Sequence, residues 1–311
     1  MAVFVLTIGC GGGGSSTSDR PWNRIEVTQV ALPAGYISVQ AVSDDGRTLV
    51  LGGNPTEMGI QLRGHLVSYP IENASFSHVS PNGVFAAASS WKRISGSDDY
   101  ESNIYLWEEL VGIRKILTRR GRGMVVLSLH NAGSLVASFL SGGGPVTETT
   151  IFFTPPDQVV ETPGPPPKPD IPIVAPPGYH DAGVFWYSHN ERYAAGSALD
   201  STGRSHGLIW NSEGHATVLP PLDGSDPFSE GAFYVSDDAT RALYSARSVH
   251  SGWIRALWIK GREPVLLTDL LKRAGEPEWD HPDWSFGARS ANGRYFTLSR
   301  FDGKEYLVHV P

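Results

Sequence analysis

Short apolar segments alternate along the chain with turns that are rich in Ser, Asp, Asn and Gly. Asp and Asn side chains hydrogen-bond locally in tight turns, and Gly accepts a positive φ without a steric clash. The six turns are Ser43–Gly46, Ser80–Gly83, His130–Gly133, Ser188–Glu191, Ser236–Ala239 and Ser290–Gly293. An apolar segment of strand length follows each turn: Thr48–Gly52, Val84–Ser89, Leu135–Leu140, Tyr193–Ala198, Arg241–Ala246 and Arg294–Ser299. This pattern predicts six related β units.

A tryptophan recurs at a fixed place in these units. Trp107, Trp210 and Trp258 each end an apolar segment (Asn103–Trp107, His206–Trp210 and Arg255–Trp258), and each is followed by a glycine turn at Gly112, Gly214 or Gly261. The third unit has Phe152 and Phe153 in place of the tryptophan. Because these rings recur with the repeat, we interpret them as core residues. Only one short helix is predicted, over Asp269–Ala274.

The spacing of the repeats indicates the fold class. Successive turns lie 37, 50, 58, 48 and 54 residues apart, which is enough for about four short strands in each unit. A four-stranded sheet cannot bury both of its faces alone and must stack on its neighbours. The sequence therefore predicts an all-β protein, a β-propeller of six four-stranded blades.

A segment near the N-terminus can supply the strand that the last unit lacks. The last unit has only three candidate strands, near Gly287–Ser290, Arg294–Ser299 and Glu305–Val310. The β-prone segment Ile25–Leu32 precedes the first turn and belongs to no unit of its own. Pairing this segment with the last unit would cover an open sheet edge. We therefore predict that the N- and C-terminal strands share the last blade.

One proline-rich segment interrupts the repeats. Ten prolines lie between Pro155 and Pro177, and proline cannot donate to a strand ladder. We predict a polyproline-like surface insert over residues 155–177, either a stiff exposed loop or a docking motif for a proline-binding module. The predicted organisation is a leader and tether at residues 1–21, followed by a single propeller domain at residues 22–311.

The N-terminal segment indicates export. Seven mostly apolar residues, Ala2–Ile8, precede Gly9 and Cys10, the only cysteine, and the Gly/Ser-rich stretch Gly11–Ser18 follows. This arrangement resembles the lipobox of bacterial lipoproteins, in which the cysteine after a small residue is lipidated. No Lys or Arg precedes Cys10, and Thr7 stands where that motif usually has Leu. A start codon placed too far downstream would account for the missing charge; a soluble protein with a free thiol is the alternative.

Composition narrows the classes of partner. The 311 residues carry a net charge of −7, and only 18% of them are charged. A protein that binds nucleic acid needs a basic stripe along one face. Lys and Arg look scattered, so we expect no nucleic-acid partner.

The last part of the chain shows a family resemblance. The segment from Arg255 to Pro311, with Ala-Leu-Trp258 and the stretch Pro264–Leu271, resembles the HAF family of extracellular repeats. The resemblance implies propeller-like blades in exported bacterial proteins. That family brings no catalytic residues to carry over to this chain.

Candidate chemistry is sparse. His78, His130 and His189 lie near equivalent turns and are candidates for a shared zinc site, with ordinary hydrogen bonding in turns as the alternative. The acidic stretch Asp98–Glu101 fits a solvated loop. The stretch Glu276–Trp284 carries Trp279 and Trp284 among carboxylates, which suits sugar or cation binding or packing between blades.

These observations predict a binding protein rather than an enzyme. We expect a lipid-anchored protein of the bacterial cell envelope, at the outer membrane or cell surface, that binds a protein or glycan through propeller loops. No cofactor is predicted. The alternative is an extracytoplasmic hydrolase or lyase at the axial channel, which would bring together several of His78, His130, His189, Asp44, Asp237 and Asp238. A structural surface-layer component is a third possibility.

Overall fold

The computed structural model describes residues 25–141, 147–249, 252–275, 284–300 and 303–311. Strands dominate this part of the chain and form six four-stranded antiparallel sheets. The protein is therefore an all-β chain of the β-propeller class, as predicted. We number the sheets 1 to 6 in chain order.

The strands follow one another in the same way through the chain. The first strand, β1 (Glu26–Val30), belongs to the last sheet. Sheet 1 contains β2 (Ser38–Val42), β3 (Thr48–Gly52), β4 (Met58–Leu62) and β5 (His65–Tyr69). Sheet 2 contains β6 (Ser75–Val79), β7 (Phe85–Arg93), β8 (Tyr100–Glu108) and β9 (Gly112–Gly121). Sheet 3 contains β10 (Gly123–Leu129), β11 (Leu135–Leu140), β12 (Glu148–Thr154) and β13 (Gln158–Pro163).

The remaining sheets continue this order. Sheet 4 contains β14 (Tyr179–Tyr187), β15 (Tyr193–Asp200), β16 (Ser205–Asn211) and β17 (Ala216–Val218). Sheet 5 contains β18 (Gly231–Val235), β19 (Arg241–Arg247), β20 (Trp253–Ile259) and β21 (Val265–Leu266). The short helix α1 (Leu267–Arg273) follows close to its predicted place. Sheet 6 contains β22 (Trp284–Arg289), β23 (Tyr295–Arg300) and β24 (Glu305–His309), together with β1.

The first and last strands share sheet 6. Strand β1 pairs antiparallel with β24, with Glu26 opposite His309 and Val30 opposite Glu305. The prediction that the chain termini contribute to one blade is thus confirmed. The pairing covers the outer side of β24, which would otherwise be an open edge.

The six turns of the sequence repeat adopt one local structure. In four of them the serine hydroxyl donates to the Asp or Asn side chain two residues later, at 2.6–2.8 Å. The same serine oxygen accepts a backbone N–H five residues on, as Ser43 does from Thr48 at 3.0 Å. The fourth turn residue has positive φ even where it is Glu191 (59°) or Ala239 (53°). The turn geometry therefore holds where glycine is absent.

The described chain divides into two compact units. The first runs to Pro167 and also takes Ser285–Ser290 and Arg294–Pro311, so it holds sheets 1, 2 and 3 and most of sheet 6. Its core lies between successive sheets. Val50 and Ile60 pack with Ala86 and Trp107. Between the next two sheets, apolar residues such as Leu106, Val126 and Ile151 pack together.

The second unit spans Lys168–Trp284 with the turn Ala291–Gly293, and it holds sheets 4 and 5 and α1. Tyr244, Ala195 and Trp258 belong to one of its clusters. Trp210 belongs to another and is fully buried. None of the helices in the described residues is long and apolar enough to cross a membrane.

The repeated aromatic residues are core residues. Trp107, Trp210 and Trp258 are 4%, 0% and 6% exposed, and Phe153, which replaces the tryptophan in the third unit, is 3% exposed. The indole N–H of Trp107 donates to the Tyr69 hydroxyl at 2.9 Å, and that of Trp210 donates to the Val174 carbonyl at 2.8 Å. The buried indole N–H groups of Trp107 and Trp210 therefore have the partners that burial requires.

The proline-rich segment is only partly the loop that its composition predicted. Residues Gln158–Pro163 form β13, the outer strand of sheet 3, paired with β12. Proline is tolerated there because the free side of an edge strand needs no N–H donor. Further on, Ile171 is buried against Ala194 and Trp210. The excursion expected over residues 155–177 is thus corrected to an edge strand followed by a segment packed on sheet 4.

Candidate functional site

Two long strands of sheet 2, β7 and β8, carry a pair of aromatic rings near one end of the sheet. Strands β7 and β8 have nine residues each, and β7 continues four residues beyond the predicted segment Val84–Ser89. Trp91 lies near the end of β7 and is 43% exposed, although it is a large apolar side chain. Its ring meets that of Tyr100 edge-on, with centroids 5.3 Å apart and planes at 87°. The pair stands at the end of the sheet opposite the turn Ser80–Gly83.

A cleft between sheets 2 and 3 begins at these rings. The cavity of about 560 Å³ is lined by Trp91, Tyr100, Met124, Val125 and Leu140, with Arg122, Gly123, Ser138 and Glu148 contributing the remaining wall. We call it the Trp91 cleft. Its volume lies within the range of about 300–1,000 Å³ that is usual for ligand sites. Leu140 is 39% exposed, so the apolar wall is open to solvent beside the indole.

Besides the Tyr100 hydroxyl, three polar side chains line the cleft, and two of them are bonded to each other. The Ser138 hydroxyl donates to Glu148 Oε1. The backbone N–H of Arg122 donates to the Leu140 carbonyl at 2.8 Å, which holds the start of β10 in place. Among the described residues, the Arg122 guanidinium makes no ion pair. Arg122 is therefore the cation that the cleft leaves available.

Strand register shows which neighbouring cations share the face of Trp91. Ser102 lies opposite both Trp91 on β7 and Arg119 on β9, so these three residues share one face of sheet 2. Arg120 lies opposite Glu101, one residue along, and therefore lies on the other face. On the Trp91 face, Arg119 is paired with Glu161 of β13. Arg93, on the same face, is paired with Asp98 at 3.2 Å.

The three predicted histidines do not form a metal site. His78 Nε2 lies 3.0 Å from the Val126 carbonyl, and His189 Nδ1 lies 3.8 Å from Asp237 Oδ2. His130 is exposed at the start of its turn. Within the described ranges no three His, Cys, Asp or Glu side chains are grouped so that they could hold a metal ion. The zinc hypothesis is therefore not supported. The alternative, ordinary hydrogen bonding, fits His78.

The acidic turn residues instead link neighbouring turns. The backbone N–H of Asp44 donates to the Pro81 carbonyl at 2.9 Å. Asp237 Oδ1 accepts the Asn190 N–H at 2.8 Å, and burial raises the pKa of this carboxyl. Asp238 Oδ1 accepts the Ser236 hydroxyl at 2.7 Å within its own turn. Through these hydrogen bonds, Asp237 and Asp238 stabilise turns of the second unit.

A Gly-x-Ser-x-Gly sequence, the pattern of a hydrolase nucleophile, occurs at Gly203–Gly207 and was not among the sequence predictions. It lies in the β15–β16 hairpin rather than between a strand and a helix. The Ser205 hydroxyl donates to the Glu230 carbonyl at 2.6 Å, while His206 Nε2 lies 2.9 Å from Asp200 Oδ2. In this described hairpin no hydrogen bond joins Ser205 to His206, so the motif does not form a nucleophile–base pair.

Of the remaining predicted residues, some lie outside the described part of the chain and one is buried. Cys10 and residues 276–283, which include Trp279, lie outside the described residues. Trp284 is 3% exposed in β22, and its carbonyl accepts a bond from the Arg255 guanidinium. Trp284 therefore packs in the protein rather than presenting a free ring.

Trp91 and Arg122 were not predicted as site residues. A sequence signal for each exists in retrospect. Trp91 does not follow the register of the repeated tryptophans, and five of the 25 basic residues fall between Arg114 and Arg122. Lys and Arg are thus locally concentrated on β9 and just after it, which corrects the impression that they are scattered.

This chain shows only low sequence identity to the known proteins that it resembles. No family model and no curated protein matches the chain. The β-propeller domain of the Trilobed protease from Pyrococcus furiosus is similar at 16% identity, with 85% of this chain and 77% of that chain covered and a TM-score of 0.39. A putative TolB from Agrobacterium tumefaciens is similar at 14% identity, with 87% and 88% covered and a TM-score of 0.38. TolB from Acinetobacter baumannii is similar at 15%, with 74% and 56% covered and a TM-score of 0.33. The fold assignment rests on the six sheets, and the resemblance to the HAF family stays a prediction.

Proposed function

We propose that this chain is a non-enzymatic binding protein of the bacterial cell envelope, anchored through a lipid on Cys10, and that it holds a protein partner at the Trp91 cleft. The observation that carries the proposal is the half-exposed indole of Trp91 at the mouth of an apolar cleft. Exposed tryptophan is enriched where proteins bind partners, because a large rigid ring buries much area at little entropic cost.

The cleft has the composition of a binding surface. Trp91, Tyr100 and Leu140 provide an apolar centre, and Arg122 and Glu148 provide polar groups beside it. Interfaces commonly combine an aromatic and aliphatic centre with a polar rim. The wall is also rigid, since strand residues of sheets 2 and 3 form most of it.

A photo-crosslinking amino acid at position 91 tests partner binding in a Gram-negative host. We expect one discrete adduct that is larger than the protein. The matched control is position 110, because Leu110 is 94% exposed at the opposite end of the same sheet. Equal adducts from both positions, or none from position 91, would show that the cleft does not bind a partner. An adduct that glycosidases remove would assign a glycan instead of a protein.

The lipid anchor is a separate part of the proposal. It is supported by the sequence alone, through the apolar run before Cys10 and the Gly/Ser-rich stretch after it. In this proposal the Gly/Ser-rich stretch connects the lipid to the sheets.

Intact mass spectrometry of the mature protein from the same host tests the anchor. We expect a chain that begins at Cys10 and carries a diacylglyceryl group, and an unlipidated product from Cys10→Ser. An unmodified wild-type chain that still begins at Met1 would exclude the anchor. The crosslinking result would be interpreted independently.

A further inference from the structure

We propose that the Trp91 cleft recognises an acidic peptide in which a large apolar side chain stands next to a carboxylate. The apolar side chain would lie against Trp91 and Leu140, and the carboxylate would pair with Arg122. This inference rests on the proposed binding function and specifies the chemistry of the partner.

The first argument is the unequal pairing of three arginines. Arg93 and Arg119 lie on the same face of sheet 2 as Trp91, and each is paired with a carboxylate of this chain. Arg122 lines the cleft and has no such pair within the described residues. A guanidinium binds a carboxylate through two parallel hydrogen bonds. A partner's carboxylate would therefore supply what the chain itself supplies to Arg93 and Arg119.

The second argument concerns the apolar part of the cleft. Trp91 and Leu140 are partly exposed in the cleft, and the buried Met124 also lines it. Burying an aromatic or aliphatic side chain there would remove apolar surface of both molecules from water. Methionine adapts its shape readily, so the base of the cleft would accept different large side chains.

The polar groups favour a peptide over a sugar. A sugar ring would stack on the indole but would also need several donors and acceptors around its hydroxyls. In the cleft, Ser138 and Glu148 are already bonded to each other. Arg122 is the charged donor that remains, beside the Tyr100 hydroxyl, and one cation fits one carboxylate better than a ring of hydroxyls. The Glu148 carboxylate in the lining would also disfavour a second acidic group in the peptide.

Fluorescent peptides of the form Gly-Ser-X-Z-Ser-Gly test this inference by fluorescence anisotropy with the full-length protein. X is Phe, Leu or Trp, and Z is Asp, Asn or Lys. We expect Asp peptides to bind at least tenfold more tightly than Lys peptides, with a difference that shrinks at high salt. Arg122→Ala should weaken Asp-peptide binding about tenfold or more, since a charge-assisted bond is lost. Arg122→Glu should reverse the preference from Asp to Lys.

Arg120→Ala is the matched control. It removes the same charge two residues away, on the other face of sheet 2, and should change binding less than twofold. Trp91→Ala should weaken all three X series, and melting curves would confirm that each variant is folded. Peptide affinities that do not depend on Z, or on Arg122, would overturn the acidic-peptide assignment.

The outcomes also separate this inference from the function on which it rests. A discrete adduct at position 91 with no binding of the peptides would refute the peptide chemistry and leave the binding function standing. The absence of the adduct together with the absence of peptide binding would refute both. Binding of Asp peptides that Arg122→Glu reverses would support both.

Discussion

The two ends of sheet 2 differ in how far their polar groups are paired within the protein. At one end, the turn Ser80–Gly83 repeats a structure that recurs in the other units, and its polar groups are bonded within the turn and to the next one. Asn82 donates its backbone N–H to the Asn131 side chain at 2.8 Å. At the other end, Trp91 and Tyr100 face a cleft, and Arg122 has no ion pair among the described residues. One end satisfies its own polar groups, whereas the other leaves Arg122 without an ion pair among the described residues, which is the basis of the proposed binding function.

This difference shows where sequence repetition ends and specialisation begins. Neighbouring turns within a unit are alike because they bond to each other, as the Asp44 N–H does to the Pro81 carbonyl. The glycine of one turn also packs against the preceding sheet: a Cβ on Gly83 would come 2.8 Å from the Thr48 hydroxyl. The hairpin end carries no such constraint, so β7 and β8 can extend and display different side chains there.

The comparison predicts very different losses of stability when two tryptophans of the same sheet are replaced. Trp107→Ala, near the turn end, should lower the unfolding free energy by about 3–5 kcal/mol, because a buried ring and its bond to Tyr69 are lost. Trp91→Ala should cost about 1 kcal/mol or less, because its ring is already 43% exposed. Urea titrations of both variants measure the two values.

The pair of variants also has a binding readout. Trp91→Ala should weaken binding of the Phe, Leu and Trp peptides while the melting curve stays close to that of the wild type. Trp107→Phe, which keeps most of the ring, should lose about 1 kcal/mol of stability through the missing N–H donor and should bind peptide normally. Equal destabilisation by Trp91→Ala and Trp107→Ala would break the distinction between the two ends.

The sequence predicts the repeated end well. Its turns, its strands and the tryptophan register follow local chemistry that acts within a few residues, such as the serine that accepts an N–H five positions on. The closure by β1 could also be predicted, because the last unit visibly lacks one strand. Proline content was misleading at Gln158–Pro163, since an edge strand needs no donor on its free side.

The cleft could not be predicted in the same way. It brings together side chains that are more than 50 residues apart, Trp91 and Glu148, from two sheets. No local rule sets the extra length of β7, and the pairing of Arg119 with Glu161 appears only when β9 and β13 are placed side by side. Whether a cation is paired or available is a property of packing. The number of Lys and Arg residues in the sequence therefore does not predict which of them are paired.

The polar groups of sheet 6 show the same contrast between a turn end and a hairpin end, with a smaller expected effect on stability. At its turn end, the Ser290 hydroxyl accepts the Tyr295 N–H at 3.0 Å. At its hairpin end, Glu305 is 1% exposed, and Oε1 accepts the Val39 N–H at 3.0 Å, while Oε2 is buried with no partner among the described residues. Burial raises the pKa of Glu305, although the Ser299 and Thr297 hydroxyls and the Val39 N–H act against it. The turn end is satisfied, whereas the hairpin end holds a carboxyl that favours its protonated form.

The smallest expected effect is a pH dependence that Glu305→Gln removes. The unfolded chain releases this proton near the ordinary glutamate value of about 4.3. The native state holds it to a higher pH, so it binds more protons in that interval, and the unfolding free energy of the wild type falls as pH rises through it. Gln keeps the oxygen that accepts from Val39 and cannot ionise. Urea titrations from pH 4 to pH 8 should therefore show wild type losing stability relative to Glu305→Gln as pH increases. Parallel curves for the two proteins would mean that Glu305 has the same proton affinity in both states, and that the hairpin end of sheet 6 is as well satisfied as the turn end.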